Sequence, residues 1–253
     1  MLSERIDLRY RLHFRSAFHF GTGLRAGLVH RAIARRRDGM PFVPGSTLKG
    51  VLRDQATQIA HLLGAAARPP HALGEEDVGE FAKDGDVVAG IFGSRVLAGT
   101  ISFDDALLCA EDEALLRIGD DGRERLVLSP TETRTQVSMS RRLGTARRGL
   151  LFTSEYGLGG LRFDGRIVGV LRGVPLLSDP TRSYELTLLL AALKSLARIG
   201  GNSSAGAGQV TCVIEALSVN GGELSEEAVD SALGGLADME LYQLSYGDEG
   251  EAS

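Results

Sequence analysis

Residues 5–14, RIDLRYRLHF, alternate apolar and polar, with Ile6, Leu8, Tyr10, Leu12 and Phe14 on one side. A period of two predicts a strand buried on one face. FGTG at 20–23 breaks it, and a basic loop runs to Met40. The proline-marked stretch GMPFVPG, 39–45, reads as a turn. From Ser46 the period lengthens, and Leu48, Val51, Leu52, Ala56, Ile59, Ala60 and Leu63 fall on one helical face that dies out near ARPPH. Residues 69–90 are acidic and punctuated by Pro and Gly, as in a surface insertion. IFGSRVLAGTISFDDALL, 91–108, reads as a turn and then a strand. A polar connection covers 119–133, and strand-like runs follow at LLFTSEYGL and LRFDGRIVGVLRG. A second helix is expected from about Thr181 to Ile199 on Leu186, Leu189, Leu190, Leu193 and Leu196, stopped by Gly200 and Gly201. GQVTCVIEALSVN, 208–220, is the last clear strand, and a short acidic helix begins near Ser225. The order strand, helix, strand, strand, helix, strand predicts an α+β fold with a split βαββαβ, ferredoxin-like core and loop insertions.

Composition narrows the class. The chain has 253 residues, 43% hydrophobic and 24% charged, as in an ordinary globular protein. No apolar run approaches the roughly 18 residues of a membrane span, and the N-terminus lacks the apolar stretch of a signal peptide. Cys109 and Cys212 sit in apolar runs and read as free thiols. Five scattered histidines argue against zinc. These features place the protein in a reducing cytoplasm, without a membrane partner.

The net charge of −5 hides a split. Residues 21–53 and 134–148 hold 12 of the 28 Lys and Arg residues with one acid, Asp38, among them. Residues 221–253 carry nine acids and no Lys or Arg. Such segregation predicts one basic working face.

Three stretches carry candidate chemistry. In PFVPGSTLKG, 41–50, a helix start offers unpaired amides to an anion. Gly45 allows close approach, Ser46 and Thr47 add hydroxyls that could cap the helix, and Lys49 and Arg53 share a face one turn in. It is not a Walker A loop, because Gly50 follows Lys49 where Ser or Thr is required, so nucleotide hydrolysis is not expected. GGNSSAGAGQV, 200–210, makes a tight loop of amides that either binds phosphate or turns a corner. TRTQVSMSRRLGTARRGLLF, 133–152, suits an arm that lays arginines on a nucleic-acid backbone and wedges apolar side chains between bases.

Together these residues resemble the RAMP superfamily, the repeat-associated mysterious proteins, and within it the backbone-type subunits of type III CRISPR effector complexes. FVPGSTLKGVLRD, 42–54, is similar to the family's Ile-Pro-Gly-Ser-Ser-Leu-Lys-Gly stretch. GLVHRAIARRRDGMP precedes it as the family's loop does, and IFG at 91–93, GTARRGLLFTSEY at 144–156 and the glycine-rich 200–210 follow in the family's order. The resemblance implies an RNA-recognition-like domain over about 1–220, with a protruding basic thumb at about 129–152, an acidic insertion at about 69–90, and an acidic extension at 221–253. It implies a subunit that stacks with copies or relatives of itself along a CRISPR guide RNA, in antiviral defence. The residues it assigns to RNA are Arg25, His30, Arg31, Arg35, Gly45, Ser46, Thr47, Lys49 and Arg53. To these it adds Arg134, Arg141, Arg142, Arg147 and Arg148 of the thumb, and Gly201, Asn202, Ser203, Ser204, Gly206 and Gly208.

Two departures bear on activity. Target-cleaving members carry an aspartate in a pattern like Val-Asp-x-x-Ile-x-Arg; here VHRAIAR, 29–35, puts His30 in its place, and Asp38 is out of register. Imidazole suits magnesium poorly. The glycine loop lacks the family's arginine and aromatic. The expectation is a subunit that holds guide and target RNA without cleaving and needs no cofactor. The alternative is an endoribonuclease, either metal-dependent and target-cutting, with magnesium, or guide-processing with His30 as catalyst. His13 and His19, beside the first strand, are expected to serve packing.

Overall fold

The computed structural model describes residues 1–23, 29–65, 67, 85–94, 98–118, 125–126, 128–140 and 142–242. In chain order, β1 (Leu2–Phe14) and β2 (Phe42–Val43) precede helix α1 (Gly45–Leu62). Helix α2 (Val87–Phe92), β3 (Ile101–Phe103), β4 (Ala106–Leu108) and α3 (Ala110–Leu116) follow. A short pair, β5 (Arg117–Ile118) and β6 (Arg125–Leu126), leads to a long hairpin, β7 (Thr131–Met139) and β8 (Ala146–Gly157). Then come β9 (Arg162–Gly173), α4 (Tyr184–Lys194), β10 (Val210–Val219), β11 (Gly222–Glu223) and α5 (Glu226–Leu233).

The main sheet runs β11-β10-β1-β9-β4-β2, with β3 also on β9, and its ladders are antiparallel. The crossover through α1 joins β1 to strands on the far side of β9, and the crossover through α4 joins β9 to β10 on the far side of β1. The α+β class is the expected one. β1 occupies the centre because its alternation is strict: Ile6, Leu8, Tyr10, Leu12 and Phe14 are all buried. Each such burial contributes about 1.5–3 kcal/mol.

The opposite face of β1 and β9 is charged and partly paired, with Arg5, Arg9 and Arg172 exposed on it. Arg11 meets Asp164 at 2.6 and 3.0 Å, and Arg166 meets Asp7 at 2.8 and 2.7 Å. The aromatics of these two strands, Tyr10, Phe14 and Phe163, are buried away from it. This face therefore lacks the stacking rings with which an RNA-recognition sheet holds bases.

Several local readings are revised. No hydroxyl caps α1: Pro44 is its N-cap, without a side-chain bond. The Gly45 amide instead donates to Asp105 Oδ1 at 2.8 Å, and a Cβ at Gly45 would sit 2.1 Å from the Phe103 carbonyl oxygen. The glycine thus admits the turn between β3 and β4. The turn expected from Ile91 begins inside α2, whose start is held by Asp86 accepting from the Val88 and Ala89 amides at 2.9 and 3.0 Å. Six residues are too few to show a helical period. The second helix starts at Tyr184, where Ser183 caps it, and stops at Lys194 before the glycines. The predicted acidic helix is α5, capped by Ser225. Most of the 69–90 insertion, residues 69–84, lies outside the described residues. Cys109 and Cys212 are both free.

Helix α4 is buried on every side from Tyr184 to Leu193, Glu185 included. The Glu185 carboxyl group accepts from the Val174 amide at 2.9 Å and the Tyr242 hydroxyl at 3.0 Å. It thereby ties the 3₁₀ turn at Gly234–Leu241 to the core. Burial pushes Glu185 up to about 8, and nearby Glu4 adds to the rise. The folded chain therefore keeps a proton that the unfolded chain has released above about pH 4.5. This contribution is full below that pH, shrinks as pH rises, and is gone above about 8. Glu185→Gln, the neutral isostere, should flatten the loss of thermal stability between pH 5 and 9 relative to wild type. Parallel melting curves across that range would refute the assignment.

Candidate nucleic-acid interface

A long hairpin falls where the thumb was expected, and it is built as two paired strands from Thr131↔Gly157 to Met139↔Ala146. Val137, Leu143 and Leu151 are exposed along it. An isolated two-stranded hairpin is barely stable in water. This one is held at its base by the segment 29–35.

That segment docks on β8. The His30 and Arg31 amides donate to the Thr153 carbonyl at 2.9 and 3.2 Å, and the Glu155 amide donates to the Arg31 carbonyl at 2.9 Å. Arg31 bridges Ser154 in parallel. Ala32, Ile33 and Ala34 are buried, so the apolar spacing within VHRAIAR faces inward.

One carboxylate fastens the junction. Glu155 accepts from the Arg35 guanidinium, from the Ile33 amide at 3.1 Å and from the Thr131 hydroxyl at 3.2 Å. Burial works to raise this carboxyl, yet the bonds from Arg35, Ile33 and Thr131 outweigh it and hold Glu155 below its ordinary value.

Tyr156, the next residue, joins the hairpin to the glycine loop. Its ring is buried, with the Arg134 guanidinium 4.9 Å above it and the His19 ring 5.6 Å away. Its hydroxyl accepts from Asn202 Nδ2. Asn202 is left-handed at φ 61°, as are Gly206 and Gly208 at 86° and 74°. The Gly201 and Gly208 amides donate to the His19 and Ala17 carbonyls at 2.9 and 2.8 Å. Among the described residues, the amides of Asn202, Ser203 and Ser204 donate to nothing in the chain.

These elements enclose a cleft of about 380 Å³ lined by His19, Gly21, Gly23, His30, Arg31 and Gly201. His30 and Gly201, 171 positions apart in sequence, therefore face one space. Arg31 is exposed at the cleft, and Arg142 is exposed near the hairpin tip. Other expected contacts have internal partners. Arg35 is spent on Glu155, Arg134 pairs with Glu132, and Arg53 donates to the Gly93 carbonyl where burial opposes its charge. Lys49 lies 5.9 Å from the Phe103 ring centre, Ser46 is exposed and Thr47 half-buried at the start of α1. Arg25 and Arg141 lie outside the described residues, as do the side chains of Arg147 and Arg148.

The family model of the RAMP superfamily matches residues 11–211. The chain belongs to the RAMP superfamily. Among curated proteins none matches it. Its fold is similar to that of a chain of type III-B Cmr-beta in the apo state, at 13% identity and a TM-score of 0.54, covering 83% of this chain and 97% of that one. A chain of type III-B Cmr-beta bound to cognate target RNA is similar at 14% identity and a TM-score of 0.51, covering 82% and 96%. Within this RAMP protein, Glu155 and Tyr156 are site residues that the sequence does not single out, and His19, expected to serve packing, lines the cleft. Glu155 and Tyr156 fall in the GTARRGLLFTSEY motif, but nothing in their spacing distinguishes them from strand residues.

A magnesium ion, which target cleavage would require, finds a poor donor set here. Asp38 is engaged by Arg36 and Arg117, and His30 offers nitrogen where a hard cation prefers oxygen. Among the described residues no three His, Cys, Asp or Glu side chains are grouped to hold a metal, and no helix is long and apolar enough to cross a membrane.

Glu155→Gln keeps the shape but leaves Arg35 without its anion. It should cost about 2 kcal/mol and speed amide exchange in 29–35 and β8. Because the Glu155 carboxyl is held low, this difference should fade as pH falls below the ordinary carboxylate range. A variant as stable as wild type at pH 7 would show that the carboxylate does not hold the junction.

Proposed function

We propose that this chain is a guide-RNA-binding backbone subunit of a type III CRISPR effector. In this reading it holds guide and target RNA in antiviral defence and does not itself cut the target. The observation that carries the reading is the convergence of the 29–35 segment and the glycine loop on one cleft, with the base of the basic hairpin bonded to its two histidines through the Glu155 carbonyl and the Thr153 amide. Exposed Arg31, the His30 ring and the free amides at 202–204 are donors suited to phosphate. The fold's similarity to Cmr-beta chains, one of them bound to cognate target RNA, supports the same reading. Its partners would be guide RNA, target RNA and other effector subunits, copies or relatives of itself among them, in the cytoplasm.

Binding of this kind needs no cofactor. The charged sheet face would stay outside the RNA groove, because it lacks stacking rings. The hairpin would act as the thumb, laying arginines on the backbone with Val137, Leu143 and Leu151 available to insert between bases. The departure at His30 favours holding over metal-dependent cutting. A ribonuclease reading, target-cutting or guide-processing, remains the alternative.

Purification with its genomic neighbours should bring down guide RNA, and added matching target RNA with magnesium should stay intact at this subunit. Cleavage at regular intervals that disappears with His30→Ala would make it the nuclease instead. Absence of guide RNA would end the CRISPR reading. Replacing Arg141, Arg142, Arg147 and Arg148 by glutamate should weaken binding sharply and flatten the slope of log affinity against log salt by roughly 3, the loss of about four single-strand phosphate contacts. An unchanged slope would detach the hairpin from the RNA.

A further inference from the structure

Two imidazoles line the cleft, and the backbone gives them opposite hydrogen-bonding roles. The Glu155 carbonyl oxygen lies 2.7 Å from His19 Nδ1. A carbonyl only accepts, so Nδ1 carries the hydrogen of the neutral ring and Nε2 is a bare acceptor. His30 is the reverse. Its Nδ1 accepts from the Thr153 amide at 3.1 Å, so its Nε2 carries the hydrogen and donates. Exposed Arg31, beside it, can only donate.

Among the described residues, none bonds to His19 Nε2. The residue is only 5% exposed, yet this nitrogen has no partner among the described residues and is not sealed from the cleft. Two glycines keep its approach open. A Cβ at Gly21 would lie 3.0 Å from Nε2, and one at Gly201 would lie 3.3 Å from the adjacent Cδ2. Gly21 has no left-handed φ that would call for glycine. What its missing side chain provides is space before the nitrogen.

An acceptor within a cleft rimmed by donors fits a ligand that presents a hydroxyl beside an anion. In a single nucleic-acid strand that pairing is the ribose 2′-hydroxyl next to its 3′-phosphate, and DNA lacks the hydroxyl. We propose that this cleft reads the ribose 2′-hydroxyl. His19 Nε2 accepts from the hydroxyl, while His30 Nε2–H and Arg31 donate to the adjoining phosphate. The proposal rests on the RNA-binding reading above and names, within it, the group that tells RNA from DNA. A strand without the hydroxyl leaves a largely buried acceptor unpaired and binds less well.

The test uses the full chain and three single strands of one sequence, with 2′-hydroxyl, 2′-deoxy and 2′-fluoro sugars, at one salt concentration. The 2′-fluoro strand keeps the ribose-like pucker and lacks only the donor, so it separates the hydrogen bond from strand geometry. Wild type should bind the ribose strand about tenfold more tightly than either of the others. In Gly21→Ala the added methyl covers Nε2, and the preference should shrink to less than about twofold while binding persists. Equal affinity of wild type for ribose and 2′-fluoro strands, or a preference that survives in Gly21→Ala, overturns this proposal and leaves RNA binding intact. Failure of all three strands to bind removes the RNA-binding reading, and this proposal with it.

Discussion

The Glu155 carboxylate accepts hydrogen bonds from three groups in two parts of the chain: Arg35 and Ile33 on the basic segment, and Thr131 at the foot of the hairpin. Its backbone reaches a third part by accepting from His19, and donates to Arg31 on the basic segment. Main-chain bonds also join these segments, Phe18 to Gly157, Phe20 to Ala34 and Thr153 to His30 and Arg31, and Glu155 adds the side-chain bonds that tie the basic segment to the foot of the hairpin. With these bonds, the two histidines and Arg31 hold fixed positions around one cleft. Tyr156 extends the junction to the glycine loop through Asn202. A binding surface assembled from loops has to be made rigid somewhere, and here the rigidity is concentrated in Glu155 and Tyr156.

The same junction decides which arginines can work. Electrostatic bookkeeping by sequence counts every Arg in 29–53 as available. The structure divides them. Arg35, Arg36 and Arg53 are spent on Glu155, Asp38 and Gly93, whereas Arg31 and Arg37 remain exposed. Surface pairs such as Arg11–Asp164 and Arg166–Asp7 contribute little stability in water. They cancel part of the charge on the open sheet face, where Arg5, Arg9 and Arg172 remain exposed. The acids of α5 and the following turn sit elsewhere, on elements held to the core through Val229, Met239 and Tyr242.

Legibility followed burial. β1 and α1 were readable because one face of each is buried, which imposes a period on the sequence. The hairpin was read as an extended arm, since the apolar residues between 133 and 149 are too sparse to mark paired strands. Helix α2 was hidden by its length and by glycines at Gly90 and Gly93. Among the candidate motifs, PGST and the glycine loop were conspicuous because their residue types are unusual, and only the glycine loop borders the cleft. Glu155 was not, because one glutamate in an apolar strand has no pattern; its role exists only once Arg35, Ile33 and Thr131 meet it. His19 was assigned to packing, and it is indeed buried, but burial says nothing about which nitrogen is left open. Tautomers are set by the Glu155 carbonyl and the Thr153 amide, 136 and 123 positions away in the chain.

The central claim is that the 29–35 segment, the hairpin and the glycine loop act as one RNA-binding surface. Hydrogen–deuterium exchange on the full chain, with and without a single-stranded RNA, tests it most directly. The account predicts slowed exchange together in 29–35, in 131–157 and at 202–204, with α5 unchanged. Slowing confined to one of these segments, or centred on α5 and β11, would contradict it.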